Sequence, residues 1–239
     1  MNALPVFLTA QWRALVMLNY AVDPALLAPF VPAGTQLDAW NGRALASIVG
    51  FRFLETRVRG FRIPFHADFD EVNLRFYIRR EVGGEVRRAV VFIKEIVPRR
   101  AIAWVANTLY GENYIALPMR HEVALPGTTS YSWRHRGRWD RVTATTSGAP
   151  SAALPGSEEE FITEHYWGYA RQRDGGTVEY QVEHPRWNVW RAASSELDVD
   201  IAALYGEQFA PYLRGAPSSA FVADGSAVIV RKGARLSAR

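Results

Sequence analysis

Residues 69–97, FDEVNLRFYIRREVGGEVRRAVVFIKEIV, decide how the chain is read. From Phe69 to Arg80 Val72, Leu74, Phe76 and Ile78 alternate with Glu71, Asn73, Arg75 and Tyr77, the period-two signature of a strand. Gly83-Gly84 provides two residues that accept positive φ, as a two-residue hairpin turn requires, and Val86 to Val97 returns as a second strand. If Val82 pairs with Glu85, register puts Arg75 opposite Phe92, Asn73 opposite Lys94 and Glu71 opposite Ile96. Directly opposed residues share a face, so Glu71, Asn73, Arg75 and Lys94 are expected to form one polar patch beside Val90 and Phe92. A slip of one residue would undo it. Glu95 falls on the opposite, apolar face, where Arg99 or Arg100 is its nearest partner for a structural ion pair.

A charged strand face is ordinarily a solvent face. Here Val90 to Ile93 are apolar on both faces, which suits a strand covered on both sides. Lys94 follows that run, partly buried and near Arg75, and both influences lower a lysine's pKa. It is therefore a candidate nucleophile toward a carbonyl, or a proton donor, while Glu71 handles protons or neutralises it.

Outward from this hairpin, Arg13 to Tyr20 and Arg43 to Glu55 read as strands, and Asp23-Pro24 opens a short helix. Pro98 starts a helix that carries Ile102, Val105 and Leu109 inward and stops at Gly111. Residues 131–141, YSWRHRGRWDR, read as one amphipathic strand with Trp133, His135 and Trp139 on a face, an ordinary explanation for an Arg/Trp pattern that otherwise suggests nucleic-acid stacking. Residues 145–157 are rich in turn formers and read as a long loop inside one domain. Ser157 and Glu160 form a capping box, predicting a helix over 158–171. Strands over 177–183 and 187–191, a helix near 200–213 and a terminal hairpin turning at Asp224-Gly225 complete the chain.

The 239 residues suit one large domain, and 49% hydrophobic residues suffice for a sizeable core. There is no cysteine, so disulfides, thiolate chemistry and zinc–cysteine sites are excluded. The net charge of +4 is spread out rather than clustered, which argues against a nucleic-acid partner. The amino-terminal stretch lacks a charged-then-apolar leader, and no segment approaches the ~18 apolar residues of a membrane helix, so a cytoplasmic protein without a membrane partner is expected. The five histidines show no metal-ligand spacing, and no phosphate-binding loop, nucleophile elbow or dinucleotide fingerprint occurs, so neither metal nor cofactor is expected.

Residues 11–38, QWRALVMLNYAVDPALLAPFVPAGTQLD, resemble the opening of the acetoacetate decarboxylases, with an arginine, a tyrosine and an aspartate spaced as Arg13, Tyr20 and Asp23 and a Val-Pro pair like Val31-Pro32. VGFRF (49–53), FDEVNLRFYIRR (69–80), VVFIKEIVP (90–98), YGENYIALPM (110–119) and ITEHYWGY (162–169) resemble segments of the domain of unknown function 2071 family, grouped with the decarboxylase-like fold. The resemblance implies an α+β, mainly β, acetoacetate decarboxylase-like antiparallel or mixed β-barrel with a few peripheral helices and an interior pocket. The decarboxylases form a Schiff base through the lysine of a Pro-Lys-Lys motif. The most similar spot here is Pro98-Arg99-Arg100, and arginine stays protonated and cannot be that nucleophile. Arg13 and Glu71 resemble the family's pocket arginine and one of its pocket glutamates.

Two functions follow as expectations. In the first, a lyase of decarboxylase or aldolase type acts on a keto acid or related carbonyl compound, with Lys94 as imine-forming or proton-donating group, Glu71 handling protons, and Arg13, Arg75 and Asn73 binding substrate. In the second, the pocket survives as a non-catalytic ligand-binding barrel. Both imply a small acidic or carbonyl-containing ligand, and both leave a homo-oligomer open.

Overall fold

The computed structural model describes residues 4–109 and 111–236. The strands, in chain order, are β1 (Val6–Val22), β2 (Gln36–Leu37), β3 (Ala44–Val58), β4 (Phe61–Arg62), β5 (Phe69–Val82), β6 (Glu85–Val97), β7 (Tyr114–Ala116) and β8 (Met119–Val123). They continue as β9 (Thr128–His135), β10 (Arg138–Thr146), β11 (Ser151–Ala152), β12 (Trp167–Arg171), β13 (Thr177–Glu183), β14 (Asn188–Asp198), β15 (Ser219–Arg231) and β16 (Ala234–Arg235). Five short α-helices interrupt them: α1 (Pro24–Leu27), α2 (Arg100–Leu109), α3 (Glu158–Thr163), α4 (Ile201–Tyr205) and α5 (Ala210–Leu213). The chain is mainly β.

Seven strands close on themselves in the order β13-β12-β6-β5-β3-β1-β15, because β15 pairs with β13 as well as with β1. Strands β14, β10, β9 and β8 extend the sheet beyond β15 and bring Tyr131 and Trp133 against the outer face of the ring. The central ring strands β1, β3, β5 and β6 therefore bury both faces over most of their length. On β1, Val16, Leu18 and Tyr20 join the outer core with Ile48, Leu74 and Phe76, while Leu15 and Met17 join an inner core with Val49, Tyr77 and Val90. Two-sided burial explains the continuous apolar runs in these strands. Among the described residues no helix is long and apolar enough to cross a membrane.

Several sequence expectations hold. Val82 pairs with Glu85, and Gly83 and Gly84 both take positive φ (59° and 84°), as the hairpin turn demands. Asp23 caps α1 by accepting the Ala25 N–H at 2.8 Å. Ser157 caps α3 by accepting the Glu160 N–H at 3.1 Å.

Others are corrected. The helix expected over 158–171 ends at Thr163, and Trp167 to Arg171 form a strand between β6 and β13. Trp167, Gly168 and Tyr169 are weak helix formers whose backbone is satisfied by the sheet. Residues 131–141 are a hairpin turning at Arg136-Gly137, both with positive φ, so Trp139 lies opposite Arg134 rather than beside the fully buried Trp133. The helix expected near 200–213 is broken by Gly206 and restarts at α5. Asp224-Gly225 does not turn: β15 runs through it, with Gly225 paired to Arg13. The inward pointing expected of Leu109 lies outside the described residues.

Candidate functional site

The inside of the ring holds a cavity of about 280 Å³. Its walls are mostly apolar and aromatic. Trp12 meets Phe51 and Phe53 edge-on at 5.4 and 5.6 Å, and Phe53 stacks on Phe69 at 4.6 Å. Helix α2 closes one side with Ile102, Val105 and Ala106, while Trp104 on the same helix is largely exposed.

Polar groups enter on β5 and its neighbours. Glu71, Asn73 and Arg75 occupy alternate positions on β5 and all line the cavity, as the period of two requires. Lys94 does not join them. A β-bulge inserts Ile93 as an extra residue in β6, so Arg75 still faces Phe92, but Leu74 faces Lys94 and Asn73 faces Glu95. The bulge reverses the facing of everything that follows it. Lys94 lies half-buried on the Leu74 side, where burial lowers its pKa, and Glu95 lines the cavity in its place. Neither Arg99 nor Arg100 pairs with Glu95; both are exposed at the α2 start.

Arg13 is also displaced. It is exposed and donates to the Gly225 carbonyl at 3.2 Å and to Gln11 Oε1 at 2.8 Å, while its neighbour Trp12 turns into the cavity. The register shift after Arg13, with Ala14 at φ 54°, produces this facing. The expected patch is thus kept for Glu71, Asn73 and Arg75 and lost for Lys94 and Arg13.

Three carboxyl groups meet at one end of the cavity. Glu71 accepts from Asn73 Nδ2 and from the Tyr114 hydroxyl, both at 3.0 Å. Glu112 accepts from the Tyr180 hydroxyl at 3.0 Å. Glu95 is 1% exposed, and its Oε2 has no hydrogen-bond partner. Burial pushes the Glu71 carboxyl up to about 7 and the Glu112 carboxyl up to about 8. Glu95 is raised well above the carboxylate range by burial and by repulsion from Glu112 and Glu71. All three keep their proton to higher pH than an ordinary carboxyl group.

Arg75 lines the cavity four residues along β5 from Glu71. It is 9% exposed, its Nε is unpartnered, and its NH2 group reaches only the Ile162 carbonyl at 3.4 Å and Met17 Sδ at 4.0 Å. No carboxylate lies within ion-pair distance of it among the described residues. His165 lies nearby, its ring 4.7 Å from that of Tyr77. Burial and the positive charges of Arg88 and Arg75 hold the imidazole well below its usual pKa, so it is neutral.

The raised carboxyl pKa values fix a sign for stability. Ordinary carboxylates ionise in the unfolded chain at about 4.3. Between that value and about 7 to 8 the folded protein holds more protons than the unfolded chain, so stability falls as pH rises across this window. A melting temperature that drops from pH 6.5 to pH 8, above the range where the buried His165 and His184 act in the opposite sense, with a shallower drop in Glu71→Gln/Glu112→Gln, is the expected result of differential scanning fluorimetry. An identical slope in both proteins would contradict the assignment.

Glu112, Tyr114, Tyr180 and His165 escaped sequence reasoning, and Glu95 is expected there only as an ion-pair partner on the apolar face. Glu112 and Tyr114 sit in YGENYIALPM and His165 in ITEHYWGY, segments legible as family-like but silent about which side chains turn inward. No sequence signal marks the Ile93 bulge.

Comparison with known proteins supplies context. Residues 9–227 match the domain of unknown function 2071 (DUF2071) family, described as an uncharacterized conserved protein. The uncharacterized protein YqjF of Bacillus subtilis is 24% identical over 193 residues, 80% of this chain and 76% of that one. The acetoacetate decarboxylase of Legionella pneumophila superposes with a TM-score of 0.68 at 14% identity, over 99% of this chain and 90% of that one. The enduracididine biosynthesis enzyme MppR in complex with pyruvate superposes with a TM-score of 0.66 at 15% identity, over 99% and 92%. The fold is therefore acetoacetate decarboxylase-like, and the chain belongs to the DUF2071 family.

Proposed function

We propose that the cavity binds a small carboxylate-bearing ligand, its anion on Arg75, and that any chemistry there is proton transfer through Glu71 rather than imine formation. One observation carries this reading: a guanidinium is buried against the cavity without a carboxylate partner. A buried cation without a counter-ion is costly, and an anionic ligand removes that cost. The planar fork of arginine suits a carboxylate in two parallel hydrogen bonds. Glu71, with its pKa raised to about 7, is poised to give or take a proton near neutral pH. In this reading the seven-strand ring is a decarboxylase-like barrel, and the whole chain is one domain built around it.

Imine chemistry has no support in the cavity lining, which contains no lysine. Borohydride reduction in the presence of short 2-oxo acids is expected to label neither the wild type nor Lys94→Ala. Labelling that disappears in Lys94→Ala would restore the lysine as nucleophile. The missing nucleophile also favours the second reading, a cavity that binds without turnover; following 2-oxo acids by proton NMR over hours separates the two.

The binding claim is tested by thermal stabilisation with three- to six-carbon 2-oxo acids and their methyl esters. At about 100 times Kd a ligand adds about 2.7 kcal/mol, so the acids are expected to raise Tm by several degrees and the esters to do much less. Equal stabilisation by esters would remove the role given to Arg75.

A further inference from the structure

The cavity wall around Glu71 becomes a collection of acceptors when its carboxyl groups ionise. Glu71, Glu95 and Glu112 bring six carboxyl oxygens to the same wall, and the donors facing them are the Asn73 amide and the hydroxyls of Tyr114 and Tyr180. Asn73 adds a further acceptor. It is 1% exposed, it gives its Nδ2 to Glu71, and its Oδ1 is left without a partner. The orphaned oxygens of Asn73 and Glu95 lie on paired residues of β5 and β6. No lysine or arginine forms an ion pair with any of the three carboxyls among the described residues. Among those residues no group of His, Asp and Glu has the arrangement to hold a metal ion. Once these carboxyl groups ionise and lose their own O–H, what this wall lacks is a hydrogen-bond donor.

Resting on the carboxylate reading of Arg75, we propose that the ligand is bifunctional: opposite its carboxylate it carries a cationic N–H group, an ammonium or amidinium, received by Glu95, Glu71 and Asn73 Oδ1. An N–H-rich cation meets several acceptors at once, whereas a single hydroxyl satisfies one or two. Spacing sets the length of such a ligand. Asn73 and Arg75 are two residues apart on β5 and Glu71 and Arg75 four apart, roughly 7 and 13 Å along a strand. A chain of four to six carbons between the two groups spans that range once the inward reach of the side chains is subtracted. The aromatic walls around Trp12 and Phe53 enclose its apolar middle.

Arrival of the cation turns neutral acids into carboxylates, so binding expels a proton to the solvent. The balance is simple: the ligand enters with its charge, one carboxyl group loses H⁺, and no bond to carbon changes. Affinity for the bifunctional ligand then rises with pH as the wall ionises. Affinity for a plain carboxylate falls over the same range, because ionised carboxyls repel it.

Isothermal titration calorimetry with 5-aminopentanoate and its isostere hexanoate tests this in phosphate and in Tris buffer, whose ionisation enthalpies differ. The wild type is expected to bind 5-aminopentanoate at least about tenfold more tightly than hexanoate, with about one proton released. Glu95→Gln is expected to bring the two affinities within about twofold of each other and to suppress the proton release. Hexanoate binding as tightly as the amino acid, or amino-acid binding with no proton released, overturns the proposal while leaving the carboxylate site intact. Failure of both compounds to bind removes the Arg75 reading and this proposal together. The comparison of the two ligands in the wild type decides the matter even if Glu95→Gln does not fold.

Discussion

Replacing Arg75 by methionine is expected to weaken small-carboxylate binding by about 100-fold without lowering the melting temperature. The first half follows from the strength of charge-assisted hydrogen bonds, about 1.5–3 kcal/mol each, the upper value corresponding to roughly 100-fold in Kd. The second half follows from the surroundings of the guanidinium. It is 9% exposed, its Nε has no partner, and its nearest acceptors are a carbonyl at 3.4 Å and a thioether sulfur. An ordinary structural arginine would be missed by the fold, because deleting one member of a buried ion pair typically costs 3–5 kcal/mol, roughly the loss in a damaged core. Here no ion pair is broken, only a cation–π contact with the Tyr77 ring at 5.7 Å, and methionine fills similar space between Met17 and Ile162. A large fall in Tm with binding unchanged would make Arg75 a structural residue. Titration calorimetry and a melting curve on one preparation distinguish the two.

Gly225→Ala is expected to destabilise the protein by about 3 kcal/mol or more. Gly225 has φ 80°, and a β-carbon there would lie 2.0 Å from the Trp12 carbonyl oxygen and 2.8 Å from Leu15 Cδ1. The left-handed conformation alone costs an alanine about 1–2 kcal/mol, and the contact with backbone cannot be relieved by rotating a side chain. The same close approach couples this position to the cavity, since Trp12 lines it and Arg13 is held outward on the Gly225 carbonyl. Chemical denaturation gives the expected fall in stability with an unchanged m-value. A loss below about 0.5 kcal/mol, the scale of ordinary surface substitutions, would show that the β1–β15 contact relaxes freely.

The hairpin was the most legible part of the chain because its signals agree. Strict alternation, a Gly-Gly turn and two-sided apolar runs all specify the same pair of strands, and the register is met from Val82↔Glu85 up to Arg75↔Phe92. Beyond Phe92 one extra residue, Ile93, exchanges the faces of Lys94 and Glu95. Bulges leave no mark in an alternating pattern when both faces are buried, since isoleucine is acceptable on either side. The same physics hid the turning of Arg13: Trp12 and Arg13 obey alternation, and only the closeness of Gly225 to the Trp12 carbonyl reveals why the strand is irregular there. Glu71, Asn73 and Arg75 lie on the unbroken stretch of β5 and were legible for that reason. Tyr114 enters on β7, which pairs in parallel with β6, with Glu112 just before it, while Tyr180 lies on β13 and His165 just before β12; such pairings between distant segments are not encoded in local periodicity.

These misplacements bear on chemistry. With Lys94 on the Leu74 face and arginines at Pro98-Arg99-Arg100, the decarboxylase-like fold is retained while, among the described residues, the cavity lining carries no lysine. Its charged and acidic lining groups, among the described residues, are Arg75 and the carboxyl groups of Glu71, Glu95 and Glu112. That combination argues for recognition of charge at both ends of a ligand and for proton transfer between them.

The most direct test of this account is a crystal structure of the protein grown with a short 2-oxo acid. The ligand is expected inside the ring with its carboxylate within hydrogen-bonding distance of the Arg75 guanidinium and no covalent bond to protein. Density continuous with Lys94, or a carboxylate bound away from Arg75, would contradict it.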